Sequence, residues 1–450
     1  MQQQQLLNPI KSSRLQSLID WIASPYDFLD RCAETYGETF TTHFFGFQPL
    51  VFLSDPQTIK EIFSGPPTQF DTGRGQDILR PLLGRNSLLV LDGDQHKRDR
   101  KMLMPPFHGA KVKTYSQTIC DITKDLCEQW QPQQSLLASE ALPEITLEVI
   151  LQTVFGLREG ERYQQLKEHL VSWIGLTATP LSASLLFFKG LQQDLGPWSP
   201  WGKMLRQRQK IYDLLQAEIE DRRAHTDAGT ASGDDMLSLM LLARDDAGQP
   251  MSDEALKDEL ITMLVAGHET TATVLCWALY WIHTLPDVKA TLMAELESLG
   301  KSPAPADIAT LPYLTAVASE SLRMYPVVPI VSPRIANEPV TINGQTFPAE
   351  TRLAPCIYAV HHREDLYPEA KTFRPERFLE RQFSSSEFLP FGGGSRRCIG
   401  YALAKLEINL VLATLLTHRS FKLANDEPVT PRRKGVAIAT SNGVPLVVVS

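Results

Sequence analysis

A chain of 450 residues with 43% hydrophobic and 21% charged residues has the composition of a soluble globular protein with a large core, which excludes disorder and fibre. Its formal net charge of −8 argues against nucleic acid as the main partner, because phosphate binding wants a basic surface. The six cysteines are scattered, with no C-x-x-C pair and no zinc-type spacing, and fit free thiols in a reducing compartment.

No long linker divides the chain, so residues 1–450 are expected to form one large domain. The start, MQQQQLLNPIKSSRLQSLIDW, lacks a long apolar run and a signal-type segment, which predicts a cytoplasmic protein without a membrane anchor. Pro25 to Tyr36 is helical in pattern, Glu38 to Ser54 alternates as two short strands around Gly46, and a helix over Pro56 to Ser64 follows. A small β-rich part is expected from about 38–64 and 326–360. Pro66 to Asp92 is loop-rich and either lines a pocket or lies on the surface. In DGDQHKRDRKML, His96 and Arg100 are four apart and share a helix face, while Lys97, Arg98 and Lys101 form a solvated part open to a partner.

Thr114 to Tyr212 reads as mainly helical, broken near Pro132 and Pro143. Its stretch from Trp173 to Trp201, with Leu185, Leu186, Phe187 and Phe188, suits a lid over an apolar ligand, a surface dipping into a membrane, or plain interhelix packing. Arg222 to Asp235 reads as an exposed loop. The longest helical pattern starts at an N-cap, Ser252, and runs to His283 before Pro286, a rod of roughly 50 Å. From Leu260 to Ile282 the only carboxylate is Glu269 and there is no Lys or Arg, so its middle is expected to be buried. There sits AGHETT, Ala266 to Thr271, where Gly267 costs about 1 kcal/mol relative to alanine and a threonine hydroxyl can bond the carbonyl four residues back.

Asp307 to Tyr325 is expected as one helix carrying Glu320 and Arg323, three apart and able to pair. Pro326 to Ile330 is apolar, Arg334 follows, and Asn343-Gly344 turns a hairpin. Phe373 to Phe378 reads FRPERF. Two further β-like runs, Gly435 to Thr440 and Val444 to Val449, flank Ser441-Asn442-Gly443, a tip that either reaches into a pocket or closes a sheet.

Phe388 to Gly400 reads FLPFGGGSRRCIG and runs into an apolar helical segment, Tyr401 to His418. Three glycines let the backbone pass close to a flat ligand, and Cys398 falls where a glycine loop meets a helix N-terminus, which stabilises a thiolate able to hold a metal.

The spacing Phe391-x-x-Gly394-x-Arg396-x-Cys398-x-Gly400 resembles the haem-binding signature of the cytochrome P-450 family. AGHETT is similar to that family's oxygen-activation sequence, and Glu320-x-x-Arg323 with FRPERF resembles its two structural motifs. The resemblance implies a mainly α fold with small β-sheets, with haem held between a long central helix and a cysteine-bearing loop. It implies haem b (iron protoporphyrin IX) with Cys398 as axial ligand and His96, Arg100, Arg334 and Arg396 on the propionates. Ala266, Gly267, Phe391, Gly392 and Gly400 would stand around the cofactor. Thr270 and Glu269 would be catalytic, the first bonding dioxygen or water and the second relaying protons, while Glu320, Arg323 and Arg377 would brace the cysteine loop.

The implied activity is monooxygenation: dioxygen is activated with two electrons and an apolar substrate, a fatty acid, terpenoid or similar molecule, is hydroxylated. With no flavin or nicotinamide fingerprint and no fused reductase expected, electrons would come from a separate donor such as a ferredoxin or flavodoxin with its reductase. A basic surface of Arg396, Arg397 and Lys405 with Lys97, Arg98 and Lys101 would steer it. The chain looks most like soluble bacterial members, cyanobacterial ones included. A haem-thiolate peroxygenase would normally lack the acid and threonine, and a non-catalytic haem sensor would need neither that pair nor a greasy lid.

Overall fold

Ser252 caps the helix Asp253–Thr284, its side chain accepting the Ala255 N–H at 3.2 Å. Two acids in the first turn and a histidine in the last suit the helix dipole, and the ladder ends at Leu285, before Pro286 opens the helix Pro286–Ser298. Three helices cover its sides, Ala138–Phe155, Pro312–Met324 and Tyr401–His418. Together they enclose one large apolar cluster that includes Ile150, Leu275, Trp277, Val317 and Leu412. The computed structural model describes residues 8–175, 190, 192–227, 235–300 and 302–449.

Gly267 has a packing reason. A Cβ there would fall 2.8 Å from Ile150 Cδ1 on the crossing helix. Beside it the Thr146 hydroxyl donates to the His268 carbonyl at 3.0 Å, so the two helices are tied as well as packed.

The helices Pro25–Tyr36 and Pro56–Ser64 have the expected bounds, each with proline in the first turn. Other boundaries differ. Pro143 does not break its helix: Ala138–Phe155 runs through it, because a proline so near the N-terminus forfeits one ladder bond at most. Asp307 to Tyr325 is two helices, Pro305–Ile308 and Pro312–Met324, since Pro312 starts a new one. Arg222 to Asp235 is not all loop, because the helix Pro200–Asp227 continues past Arg222, whose guanidinium bonds Asp235, Glu218 and the Phe155 carbonyl. Gly229 and Gly233 lie outside the described residues, as do Pro180 and Leu185 to Phe188 of the expected lid. Its described flanks are the helix Glu161–Gly175, with Trp173 fully buried, and a turn with Trp198 exposed.

The largest sheet has the order β1 (Thr39–Thr42), β2 (Leu50–Leu53), β8 (Arg352–Pro355), β5 (Arg334–Ala336), β3 (Phe70–Asp71). β2 and β8 are parallel, Phe52 opposite Ala354, and the other pairs are antiparallel. Asn343 and Gly344, both at positive φ (47° and 74°), turn the hairpin of β6 (Val340–Ile342) and β7 (Gln345–Phe347). The runs about Ser441-Asn442-Gly443 do not pair with each other. β11 (Ala437–Thr440) pairs with β10 (Pro431–Lys434), whereas β12 (Pro445–Val448) lies between β4 (Ser135–Leu137) and β9 (Phe421–Leu423).

Burial holds several histidines neutral. It lowers the pKa of His268 and His283 to about 4, that of His361 to about 3, and that of His362 well below the usual value. The unfolded chain would bind these protons as pH falls through about 6.5, while the folded chain refuses them, so folding stability is lost on acidification. Asp99, Glu259 and Glu407, whose carboxyls burial pushes up, act in the opposite sense and are outnumbered by the buried histidines. The urea midpoint is therefore expected to fall between about pH 6 and pH 4.5, and an unchanged midpoint would contradict the neutral assignment.

Candidate active site

Cys398 precedes the helix Tyr401–His418, for which Gly400 is the N-cap. Its N–H donates to the Phe391 carbonyl at 2.9 Å, closing the loop on itself. Burial pushes the thiol pKa up, while the Gly400 N–H and the Arg100 and Arg397 charges pull it down. The side chain is nonetheless accessible, so it stands in a recess, enclosed by protein and open on one side.

Two of the glycines before it permit a close approach of another part of the chain. A Cβ on Gly393 would lie 2.2 Å from the Phe63 ring, and one on Gly394 would lie 2.5 Å from the Phe63 carbonyl. The close approach they permit is therefore to the helix Pro56–Ser64. Gly392, at φ 64°, meets only Val331 at an ordinary distance.

His96, Arg100, Arg334 and Arg396 converge from three parts of the chain. His96 is buried on the helix Gly93–Leu103 and its pKa falls to about 3, first from burial and then from the Arg396, Arg100 and Arg334 charges. Arg334, 4% exposed on β5, is lowered to about 10 by burial and by Arg396. It donates to the Ser332 carbonyl at 2.9 Å. Arg396 donates to Asp92 at 2.6 Å and to the Leu91 carbonyl at 2.7 Å, and Arg100 donates to the Arg397 carbonyl at 2.7 Å. Among the described residues, Asp92 is the carboxylate within ion-pair distance of this cluster, so three guanidinium charges carry an excess of two. A buried excess of that size suits a ligand with two carboxylates.

The long helix carries the AGHETT stretch. Between Ala255 and Ile282 it is buried or half-buried throughout except at Ala266, which is exposed. Thr270, one turn on, is half-buried, and its hydroxyl donates to the Ala266 carbonyl at 2.6 Å. Glu269 points round the helix from that pair. It stands 3.4 Å from Lys434 and, with Ala272, Thr273 and Cys276, lines a cavity of about 330 Å³ whose other side includes Asn442 and Gly443. The 441–443 tip thus borders a cavity.

Behind the cysteine loop, Glu320 and Arg323 are both fully buried. Arg323 binds both Glu320 oxygens, at 2.7 and 2.8 Å, and Arg377 reaches Glu320 at 3.1 Å. Spare donors go to carbonyls: Arg323 to His361 and Ala370, Arg377 to Pro368. The His361 ring then accepts the Leu389 N–H at 3.0 Å and stacks on Phe388, both at the entry of the cysteine loop.

The cytochrome P450 family model, written here cytochrome P-450, matches residues 15–446. The chain belongs to the cytochrome P-450 family. Similar curated proteins of Mycobacterium tuberculosis carry the names cytochrome P-450 135B1 and cytochrome P-450 138. The first is 35% identical over 92% of this chain and 85% of its own length, the second 31% over 96% and 94%. The retinoic acid-bound cyanobacterial CYP120A1 is similar in structure, with a TM-score of 0.81, 25% identity, and 96% of each chain covered. Cytochrome P-450 proteins are haem monooxygenases, and the residues present fit their cofactor: an accessible thiol precedes a helix N-terminus, beside a cation cluster with two charges to spare.

Three residues of this cytochrome P-450 site escaped sequence reasoning. Asp92 accepts the N–H groups of Thr72, Gly73 and Arg74 as well as Arg396, a fan that an Asp-Gly before a helix hints at. His361 and Phe63 carry no sequence signal, since their partners are distant in the chain. The proposed basic surface also shrinks: Arg98 pairs with Asp245 at 2.7 Å and Lys101 pairs with Asp246, which leaves Lys97, Arg397 and Lys405.

Proposed function

We propose that this cytochrome P-450 binds haem b through Cys398 and hydroxylates an apolar substrate of the fatty acid or terpenoid class, drawing electrons from a separate ferredoxin or flavodoxin. The observation that carries the reading is the cation cluster standing beside the accessible Cys398 thiol. Bound there, haem supplies the activation of dioxygen, and the thiolate tunes it.

The chain's own residues do the rest. Arg100, Arg334 and Arg396 hold the two carboxylates, and neutral His96 donates a hydrogen bond to them. The Ala266 carbonyl fixes the half-buried Thr270 hydroxyl beside exposed Ala266, where it would orient dioxygen or a water. Glu269 would take up protons in the cavity it shares with Lys434, and its side chain would have to swing round the helix to pass them toward Thr270. Val327 is buried and Val328 part-exposed just before Arg334, and they give the substrate side an apolar wall. The ligand of the cyanobacterial neighbour, a long apolar molecule with one acid group, supports the substrate class. Lys97, Arg397 and Lys405 would face the electron donor. Among the described residues no helix is long and apolar enough to cross a membrane; with six free cysteines, this supports a cytoplasmic place.

The test is optical. Reduced under carbon monoxide, the protein should show the red-shifted band of a thiolate-bound haem. Long-chain fatty acids or terpenoids should then shift its resting spectrum. Without the band the haem reading fails; with the band but shifts only from small polar compounds, the substrate class fails.

A further inference from the structure

A chain of oxidisable rings in contact begins at Trp277 and runs to the protein surface. Trp277, fully buried, lies seven residues beyond Thr270 and shares the helix face of Ala266 and Thr270, roughly 10 Å along the axis. Its ring centroid is 4.3 Å from that of Tyr325. Tyr325 stacks on Tyr26 at 5.9 Å and 8°, and Tyr26 stacks on Tyr358 at 4.0 Å and 5°. Tyr358 ends the stack beneath the ion pair of Asp30 and Lys371, whose side chains are 32% and 57% exposed. Side contacts run from Trp277 through Tyr280 to Trp281, which also meets Tyr325, and end inside the protein at Phe373, which does not oxidise readily.

The hydrogen bonds give the stack a direction. The Trp277 Nε1–H has no partner among the described residues, so an oxidised Trp277 has nowhere to send its proton. Tyr26 donates to the Pro326 carbonyl, which does not keep a proton either. Tyr358 donates to the Asp30 carboxylate at 3.1 Å, and Lys371 bonds both, at 2.6 Å to Asp30 and 2.7 Å to the Tyr358 oxygen. Among the four rings, the outermost has a base at its hydroxyl.

We propose that Trp277, Tyr325, Tyr26 and Tyr358 form a one-electron relay that drains oxidising equivalents from the site when no substrate consumes them. It rests on the haem reading above. An electron leaves Tyr358 and passes inward through Tyr26, Tyr325 and Trp277, taking up one of the two oxidising equivalents that a peroxide or peracid would deliver at the site. The Tyr358 hydroxyl proton moves to Asp30, leaving a neutral tyrosyl radical under a solvent-exposed ion pair. A small reductant of the ascorbate class returns one electron, and the proton comes back from Asp30. The site is spared self-oxidation, and the damage is moved to a place where it is repaired.

Haem-loaded protein without substrate is mixed with a peracid and a nitroso spin trap, and adducts are mapped by peptide mass spectrometry. Freeze-quench electron paramagnetic resonance records the radical directly. The adduct is expected on Tyr358. Tyr325→Phe, which keeps the packing and removes an oxidisable ring, should lose it, with oxidation accumulating at Trp277. Asp30→Asn should also lower the Tyr358 adduct. Each variant is first shown to keep the thiolate-type carbon monoxide band, so loss of the adduct is not loss of the site. Adducts that map outside the stack, or a Tyr358 adduct unmoved by Tyr325→Phe, overturn the relay and leave the haem reading standing. Absence of the band in the wild type overturns both.

Discussion

Cys398→Ser is expected to abolish the red-shifted carbon monoxide band and monooxygenase turnover together, while the chain still folds. A serine hydroxyl holds its proton far more tightly than a thiol and does not replace a thiolate as a metal ligand, and no other cysteine is placed to substitute. Cys32, Cys127, Cys276 and Cys356 are buried, and Cys120 is half-buried with its thiol pushed up by burial. The side chain stands in an open recess and fills no core position, so circular dichroism and the urea midpoint should stay close to the wild type. Retention of the thiolate band in Cys398→Ser would remove Cys398 as the ligand.

Glu320→Ala should act through stability instead. It leaves Arg323 and Arg377 buried with no carboxylate between them, and it strips the Arg374 N–H of its acceptor at 2.8 Å. Breaking a buried ion pair from one side costs about 3–5 kcal/mol, a large part of the ~5–15 kcal/mol that holds a domain folded. The urea midpoint should drop accordingly. Because Arg323 also holds the His361 carbonyl, and the His361 ring holds the Leu389 N–H, the cysteine loop loosens with it. The carbon monoxide band of whatever protein survives should move from the thiolate position. A variant with wild-type midpoint and band would show that the buried cluster braces nothing.

Local chemistry was readable along the chain, and distant pairings were not. Ser252 as a cap, prolines at helix starts and Asn343-Gly344 as a turn each follow from one residue's own stereochemistry. So does the placing of Cys398 ahead of a helix. The pairing of β2 with β8 joins segments some three hundred residues apart, and no periodicity announces it. Charged residues show the same limit. Arg98 looks free on its helix until Asp245 is folded beside it, and Glu269 sits next to Thr270 in sequence yet turns toward Lys434. Two neighbours on a helix point about 100° apart, so adjacency in the chain is a poor guide to shared surroundings. The glycines before Cys398 signal a need for closeness, but that Phe63 is one of the neighbours of Gly393 and Gly394 is known only from the fold.

The excess of two positive charges around His96 and Arg334 also bears on how much of the protein a cell retains. Until a doubly anionic ligand arrives, those guanidiniums repel one another in a poorly solvated place, and every molecule of ligand taken up stabilises the folded chain by mass action. Newly made chains that wait too long are exposed to proteolysis as they open. Steady-state abundance would then follow pigment supply as well as the rate of synthesis, and a shortage would appear first as missing protein.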